Sequence, residues 1–327
     1  MRHFAAFVVM TIWIASPSRV IGAPIADDVK TAPVTCIAFA PDGNSVLVGS
    51  QAGVSVYSWP NLKRSAQFDT KLVNVHDLQF SPDGKRLAVA GGEPAQSGGV
   101  EVLSWPGGDS LTFLQSHSDS VLGIAWRSDI HLASASLDRD LILWDVSAGK
   151  EIRRFRGHSG GVTSVCFLPN GGHMVSAGLD QNLRVWNAET GELLRTLNNH
   201  KREIHELALR PNETGLPTVA SVSGDRTMRL WQPTIGRMIR FAQLKTVPLS
   251  ITWLPDGSLV AVAGTDGSVY WIDPDNVEIV HQNPAVAEWA YAVAAHPTDH
   301  SLAVGGRRGD LTRVVRPGQD AKGTDVK

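Results

Sequence analysis

Apolar and polar residues alternate along most of this chain with a period of two, in short runs cut by turn residues. VTSVCF (162–167), HMVSAG (173–178) and NLRVWN (182–187) are three such runs. Period-two alternation over five or six residues predicts strands buried on one face. Pro169-Asn170-Gly171 separates the first run from the second, and Asp180-Gln181-Asn182 separates the second from the third. A fourth run, LLRTL (193–197), follows the turn Glu189-Thr190-Gly191. The stretch therefore predicts one four-stranded antiparallel unit, which cannot bury its apolar faces by itself.

The unit recurs. The last residues of its first strands are Phe39, Phe80, Trp126, Phe167, Leu209, Trp253 and Ala295, at spacings of 41, 46, 41, 42, 44 and 42 residues. Five of these anchors are followed by a proline turn at Pro41, Pro82, Pro169, Pro211 or Pro255, suited to a tight hairpin. Three units carry the same polar set: His117, Ser134, Asp138 and Trp144; His158, Ser176, Asp180 and Trp186; His200, Ser221, Asp225 and Trp231. In each, Ser lies four before Asp and Trp six after it.

These residue types and offsets, with LILWD (141–145), LRVWN (183–187), MRLWQ (228–232) and Gly157-His158, resemble the WD-repeat family. The resemblance covers about residues 33–316. It implies an all-β fold, a seven-bladed β-propeller of four-stranded antiparallel blades. The expected blades are about 33–68, 74–115, 120–156, 161–198, 203–243, 247–282 and 288–316. It also implies that each His, Ser, Asp and Trp set is a buried hydrogen-bonded network. The chemistry agrees: Asp accepts from the imidazole, the imidazole bonds the Ser hydroxyl, and the hydroxyl takes the indole N–H. A hydrolase triad of Ser, His and Asp is the competing reading. Repetition at one period, completed each time by Trp, favours a structural device.

The other units depart from the pattern. Unit one has Gln51 for the Asp and Tyr57 for the Trp; unit two has Leu103 for the Trp and a turn lengthened by GGEPAQSGG (91–99). In both a Trp stands two residues later, Trp59 and Trp105, on the same face. Unit six keeps Asp266 but shifts the Trp to Trp271, and unit seven has Arg308 for the Asp and Val314 for the Trp. Unit seven shows three strands, so its fourth is expected from residues 25–29, ahead of a polar tail at 317–327.

Residues 1–22 read as a secretory leader: Arg2 and His3, then the apolar FAAFVVMTIWIA (4–15), then small residues with cleavage after Gly22. Twelve apolar residues fall short of the roughly 20 that span a bilayer, so a membrane anchor is the second choice. The expectation is an exported, bacterial-type member of the family, periplasmic or secreted, monomeric, with residues 23–327 as one propeller domain. Formal net charge is −2, and −4 once the leader is removed. The balance argues against nucleic acid, since the basic run GGRRGDLTRVVR (305–316) is short. Cys36 and Cys166 fall in distant units and read as small buried hydrophobes rather than a disulfide.

No cofactor is expected. The favoured function is a non-catalytic scaffold that binds a protein or peptide outside the cytoplasm. Its candidate surface lies on the face carrying the Asp turns: Trp289, Tyr291, Arg307, Arg308 and Glu93, aromatic and Arg groups being frequent interface anchors. Trp289 filling the gap left by the missing network of unit seven is the competing reading. The alternative function is a propeller hydrolase, lactonase-like or other, with a metal held by Asp77 and Glu206 in the central channel.

Overall fold

The computed structural model describes residues 32–316. The leader (1–22), the closing segment (25–29) and the tail (317–327) lie outside the described residues. Within them the protein is all-β, with six four-stranded antiparallel sheets and one three-stranded sheet, each in chain order from inside to outside. The innermost strands are Cys36–Phe39, Asn74–Phe80, Val121–Trp126, Val162–Phe167, Ile204–Leu209, Pro248–Trp253 and Ala290–Ala295. Each packs on the innermost strand of the next blade, and that of blade seven packs on that of blade one. The result is a seven-bladed β-propeller. No described helix is long and apolar enough to cross a membrane.

Blade four shows why the alternation works. Ser176 pairs with Arg184, and Met174 with Trp186, across its second and third strands. Successive side chains therefore enter the two interblade layers on opposite faces of one sheet. On one face Trp186, Met174, Val165 and Val162 pack on Phe155, Leu143 and Ala133 of blade three. On the other, Val175, Val185 and Leu183 pack on Ile204, Val219 and Trp231 of blade five. Every blade supplies half of two cores, which explains why no unit buries its faces alone.

Two features of the departing units follow from the same geometry. A two-residue shift keeps a side chain on its face, and Trp105 indeed packs on Phe80 and on Phe68 of blade one. Trp59 stacks on His296 of blade seven, ring centroids 5.9 Å apart, with Phe39 edge-on to both. The lengthened turn of blade two is not a loose loop. Its strands Arg86–Glu93 and Ser97–Ser104 run on together, Gly91 opposite Gly99 and Glu93 opposite Ser97. Glycine permits this: a Cβ on Gly91 would lie 1.8 Å from the Asn74 carbonyl, and one on Gly98 2.0 Å from that of Asp119.

The innermost strands of blades two to seven share a β-bulge. It falls at His76, Leu122, Thr163, His205, Leu249 and Tyr291. A bulge re-aims the side chain it carries, and all six line the central channel, a cavity of about 140 Å³.

Candidate functional site

The three complete polar sets assemble as hydrogen-bonded networks. In blade three His117 Nδ1 lies 2.8 Å from Asp138 Oδ2, and Nε2 lies 2.8 Å from Ser134 Oγ. Trp144 Nε1 donates to the same Ser134 oxygen at 2.8 Å. In blade four the corresponding distances are 3.0 Å from His158 to Asp180, 2.7 Å to Ser176 and 2.8 Å from Trp186 to Ser176. In blade five they are 2.9 Å from His200 to Asp225, 2.7 Å to Ser221 and 2.8 Å from Trp231 to Ser221. Each serine hydroxyl accepts from an indole and faces Nε2, so its proton is directed at the imidazole, whose Nδ1–H faces the carboxylate.

Electrostatics support the neutral imidazole. Burial pushes the His200 pKa down to about 4, although Asp225 acts to raise it. Burial likewise lowers that of His158. Burial works to raise the Asp180 carboxyl, but His158, the Ser159 N–H and Arg184 outweigh it and hold it well below the usual range. The three serines are completely enclosed. A nucleophile with no exposed surface and an indole on its oxygen cannot meet a substrate, so these sets are rivets rather than triads.

In unit six the Trp of the pattern is shifted by one residue, to Trp271. A one-residue shift turns the side chain to the other face. Trp271 packs towards blade seven, against Ala290, Val293 and Leu302, and donates to Asn283 Oδ1 at 2.8 Å. Tyr270 takes the place beside Asp266, its hydroxyl donating to Oδ2 at 2.6 Å. In blade two a residue not singled out from sequence, Glu101, fills a comparable role. It is 1% exposed and accepts from the Lys71 backbone at 2.8 Å and from the Ser110 hydroxyl at 2.6 Å. Its place in a strand of otherwise alternating aliphatics was the available signal.

Asp77 and Glu206 line the channel, but each is committed to protein. Asp77 accepts from Leu78 N–H at 2.8 Å and, across the blade boundary, from Ile124 N–H at 2.9 Å. Glu206 accepts from Ile251 N–H of blade six at 2.8 Å. Ser164 and Ser250, at the same strand position, accept from Leu207 and Val293 N–H at 3.1 Å each. Burial pushes the Asp77 pKa up to about 6 and that of Glu206 up to about 7, against these hydrogen bonds. The acids are thus members of a set of interblade clamps. Among the described residues no group of three or more His, Cys, Asp or Glu side chains could hold a metal. Cys36 and Cys166 are both free thiols.

The candidate surface holds four of its five residues together. Call the end of the disc bearing the Asp turns the upper face. Trp289, 41% exposed, meets Tyr291 edge-on with ring centroids 5.9 Å apart. The Arg307 guanidinium lies 5.3 Å from the Trp289 ring centroid, a cation–π distance. Arg308 pairs through Nε with Glu288 Oε1 at 2.9 Å, and Arg307 approaches the same carboxylate at 3.9 Å. Glu288 was missed from sequence because nothing in its local pattern marks it. The Trp289 ring is partly exposed and rests on Tyr291 and Arg307. Glu93 lies apart from this group, at the tip of the blade two hairpin. It accepts from the Gln96 amide at 2.8 Å in its own hairpin, whose tip is tied to Asp119 through Ala95 N–H at 2.8 Å. No contact joins it to the Trp289 group among the described residues, because blade one and the extended strands of blade two intervene.

Five segments, residues 27–58, 108–145, 149–187, 191–232 and 243–273, match the WD40 family, described as WD domain, G-beta repeat. The chain belongs to the WD40 repeat family. The stretches left unmatched include most of blade two and all of blade seven, which lack the Asp and Trp pair. Over 244 residues, 71% of its length, the chain is 30% identical to telomerase protein component 1 of Mus musculus, and covers 9% of that protein. It is 31% identical over 174 residues to THO complex subunit 3 of Arabidopsis thaliana, covering 51% of the chain and 41% of that protein. It is 29% identical over 139 residues to apoptotic protease-activating factor 1 of Mus musculus, covering 42% of the chain and 11% of that protein. The chain thus spans less than half the length of each of these relatives. WD40 propellers typically bind proteins.

Proposed function

We propose that this WD40 propeller is a non-catalytic scaffold that binds a protein or peptide outside the cytoplasm, through the upper face around Trp289. The observation that carries the reading is the pairing of an exposed, edge-braced Trp289 with Arg307 and Arg308, while every Ser, His and Asp set is consumed inside the blades. A rigid indole and a planar guanidinium lose little conformational freedom on binding, which makes them effective anchors. The leader-like residues 1–22 support export, and the absence of a charge surplus supports a protein partner over nucleic acid. The protein acts as a monomer with no cofactor.

Crosslinking and pull-down from the native compartment test this, comparing wild type with the Trp289→Ala, Arg308→Ala double variant. Loss of the captured partner is the expected result; unchanged capture removes this surface. N-terminal sequencing of the mature chain checks export, with a start at Ala23 expected.

A further inference from the structure

Resting on the reading of the upper face as the binding face, we propose that the partner presents an unmodified lysine, whose side chain enters the central channel between Asp77 and Glu206 while a neighbouring residue lies on Trp289. The channel mouth and the exposed indole are continuous. Tyr291 lines the channel and also braces the Trp289 ring, with centroids 5.9 Å apart. Trp289 directly precedes the innermost strand of blade seven, Ala290–Ala295, so the channel opens on the upper face beside it.

The channel is built in two tiers. The bulged residues, Leu122 and Leu249 among them, form the upper one. The residue after each bulge forms the lower one, which holds Asp77, Ser164, Glu206 and Ser250. One residue of strand advances about 3.3 Å, so a side chain entering from above meets aliphatic groups first and carboxyls after them. The titratable groups lining the cavity are Cys36, His76, Asp77, His205, Glu206 and Tyr291, and no lysine or arginine joins them among the described residues. The imidazoles do not neutralise the acids. Burial lowers the His76 pKa, while His205 donates Nδ1–H to the Pro248 carbonyl at 2.9 Å and turns Nε2 to Glu203 at 3.7 Å. Clamping the blades leaves the acids with capacity to spare, since a carboxylate offers about four acceptor sites. Asp77 spends two on the Leu78 and Ile124 N–H groups, and Glu206 two on the Ile251 N–H and the Ser250 hydroxyl. His76 Nε2 is buried and has no hydrogen-bond partner among the described residues.

These acceptors select an ammonium among cations. His76 and Asp77 belong to blade two and Glu206 to blade five, so they converge from across the axis. The three donors of a lysine ammonium spread in the same way. A planar guanidinium wants both oxygens of one carboxylate, and those of Asp77 are both engaged by backbone N–H groups. A metal ion fits poorly, because no group of three or more His, Cys, Asp or Glu side chains could hold one among the described residues. A methylated lysine calls for a cage of aromatic faces, and Tyr291 is the one Phe, Tyr or Trp ring lining this cavity among the described residues. Leu122 and Leu249 cover the four methylenes of the lysine stem. Burial raises the two carboxyls to about 6 and about 7, and an entering ammonium favours their ionised forms.

The test uses the full chain and a fluorescein-labelled peptide carrying one lysine flanked by leucine in a Gly and Ser background, read by anisotropy. Matched peptides carry norleucine, Nε-acetyl-lysine or arginine in its place, and butylamine serves as a free-amine competitor. Wild type is expected to bind the lysine peptide about tenfold or more tightly than each of the others. Glu206→Gln and Asp77→Asn keep an acceptor oxygen for the neighbouring N–H, and each is expected to erase that preference while the circular dichroism spectrum is retained. Trp289→Ala is expected to weaken every peptide and keep the preference. Equal binding of the lysine and norleucine peptides, both weakened by Trp289→Ala, sinks the lysine assignment and leaves the upper-face reading intact. A preference that survives both channel substitutions shows the lysine to be seated elsewhere. Should neither channel variant fold, the wild-type ranking decides, and tighter binding of the arginine or acetyl-lysine peptide overturns the proposal. Butylamine binding as tightly as the lysine peptide makes the channel a free-amine site and removes the peptide. No binding of any peptide to wild type also overturns the proposal, while native crosslinking of the Trp289 variant still decides the upper-face reading.

Discussion

The Asp77 carboxylate of blade two receives the backbone N–H of Ile124 in blade three at 2.9 Å, so that a side chain of one blade completes the hydrogen bonding of the next. Glu206 does the same for Ile251 across the boundary of blades five and six. Both acids sit in the channel with carboxyl pKa values raised by burial, to about 6 and about 7.

The two acids make stability depend on pH in a defined direction. A carboxyl whose folded pKa exceeds its unfolded value binds more protons when folded. Stability from these groups therefore rises as pH falls from about 7 to about 4.5 for Glu206, and from about 6 to about 4 for Asp77. His200 acts in the opposite sense: its folded value of about 4 lies below 6.5, so its contribution is complete above pH 6.5 and declines as pH falls towards 4. Denaturant midpoints measured from pH 4 to 8 should show the Glu206→Gln variant losing stability, relative to wild type, as the pH is lowered from 7 to 5. A difference independent of pH would refute the assignment.

Breaking one rivet should destabilise without touching the others. Ser176→Ala removes the acceptor of the Trp186 indole and the partner of His158 Nε2, both fully buried. The expected cost is about 1–3 kcal/mol for groups left unsatisfied. Trp186→Ala should cost more, about 3–5 kcal/mol, because it also empties the layer shared with blade three. Urea unfolding reads both, and a cost for Ser176→Ala near zero would mean the network is slack.

Trp289→Ala offers the contrast. Its ring is 41% exposed and rests on Tyr291 and Arg307 rather than in an interblade core. The change should shift stability by no more than about 0.5 kcal/mol, as for surface positions. A loss comparable to that of Trp186→Ala would show it to be a packing residue.

Gly98→Ala should disrupt the extended hairpin of blade two. The added methyl would lie 2.0 Å from the Asp119 carbonyl, which is backbone and cannot swing aside. A cost of about 1–3 kcal/mol is expected from overpacking. Amide exchange at Gly92 and Ala95 should quicken in the variant; unchanged protection would place the strain elsewhere.

The linear order of residues determined the repeat, its number and the rivets. Alternation with period two, proline turns at a recurring spacing and the Ser, Asp and Trp offsets all depend on contacts within one blade, between strands a few residues apart. Parity also travels with the sequence: a Trp displaced by two residues, as at Trp59 and Trp105, stays on its face. By the same rule Trp271, displaced by one residue, turns towards blade seven and leaves Tyr270 beside Asp266.

Only the tertiary structure decided what crosses from blade to blade. Whether Asp77 and Glu206 face a metal or a neighbour's N–H depends on how the innermost strands are staggered around the axis, and no local pattern encodes that stagger. Likewise Glu93 parts from Trp289 because its hairpin is held by Asp119, a loop residue of the next blade. Which charges remain unpaired on the upper face was equally hidden, since an acid such as Asp140 is neutralised by Arg154 and Arg156, fourteen and sixteen residues along the chain. Electrostatic pairing acts through space, and sequence separation does not measure it.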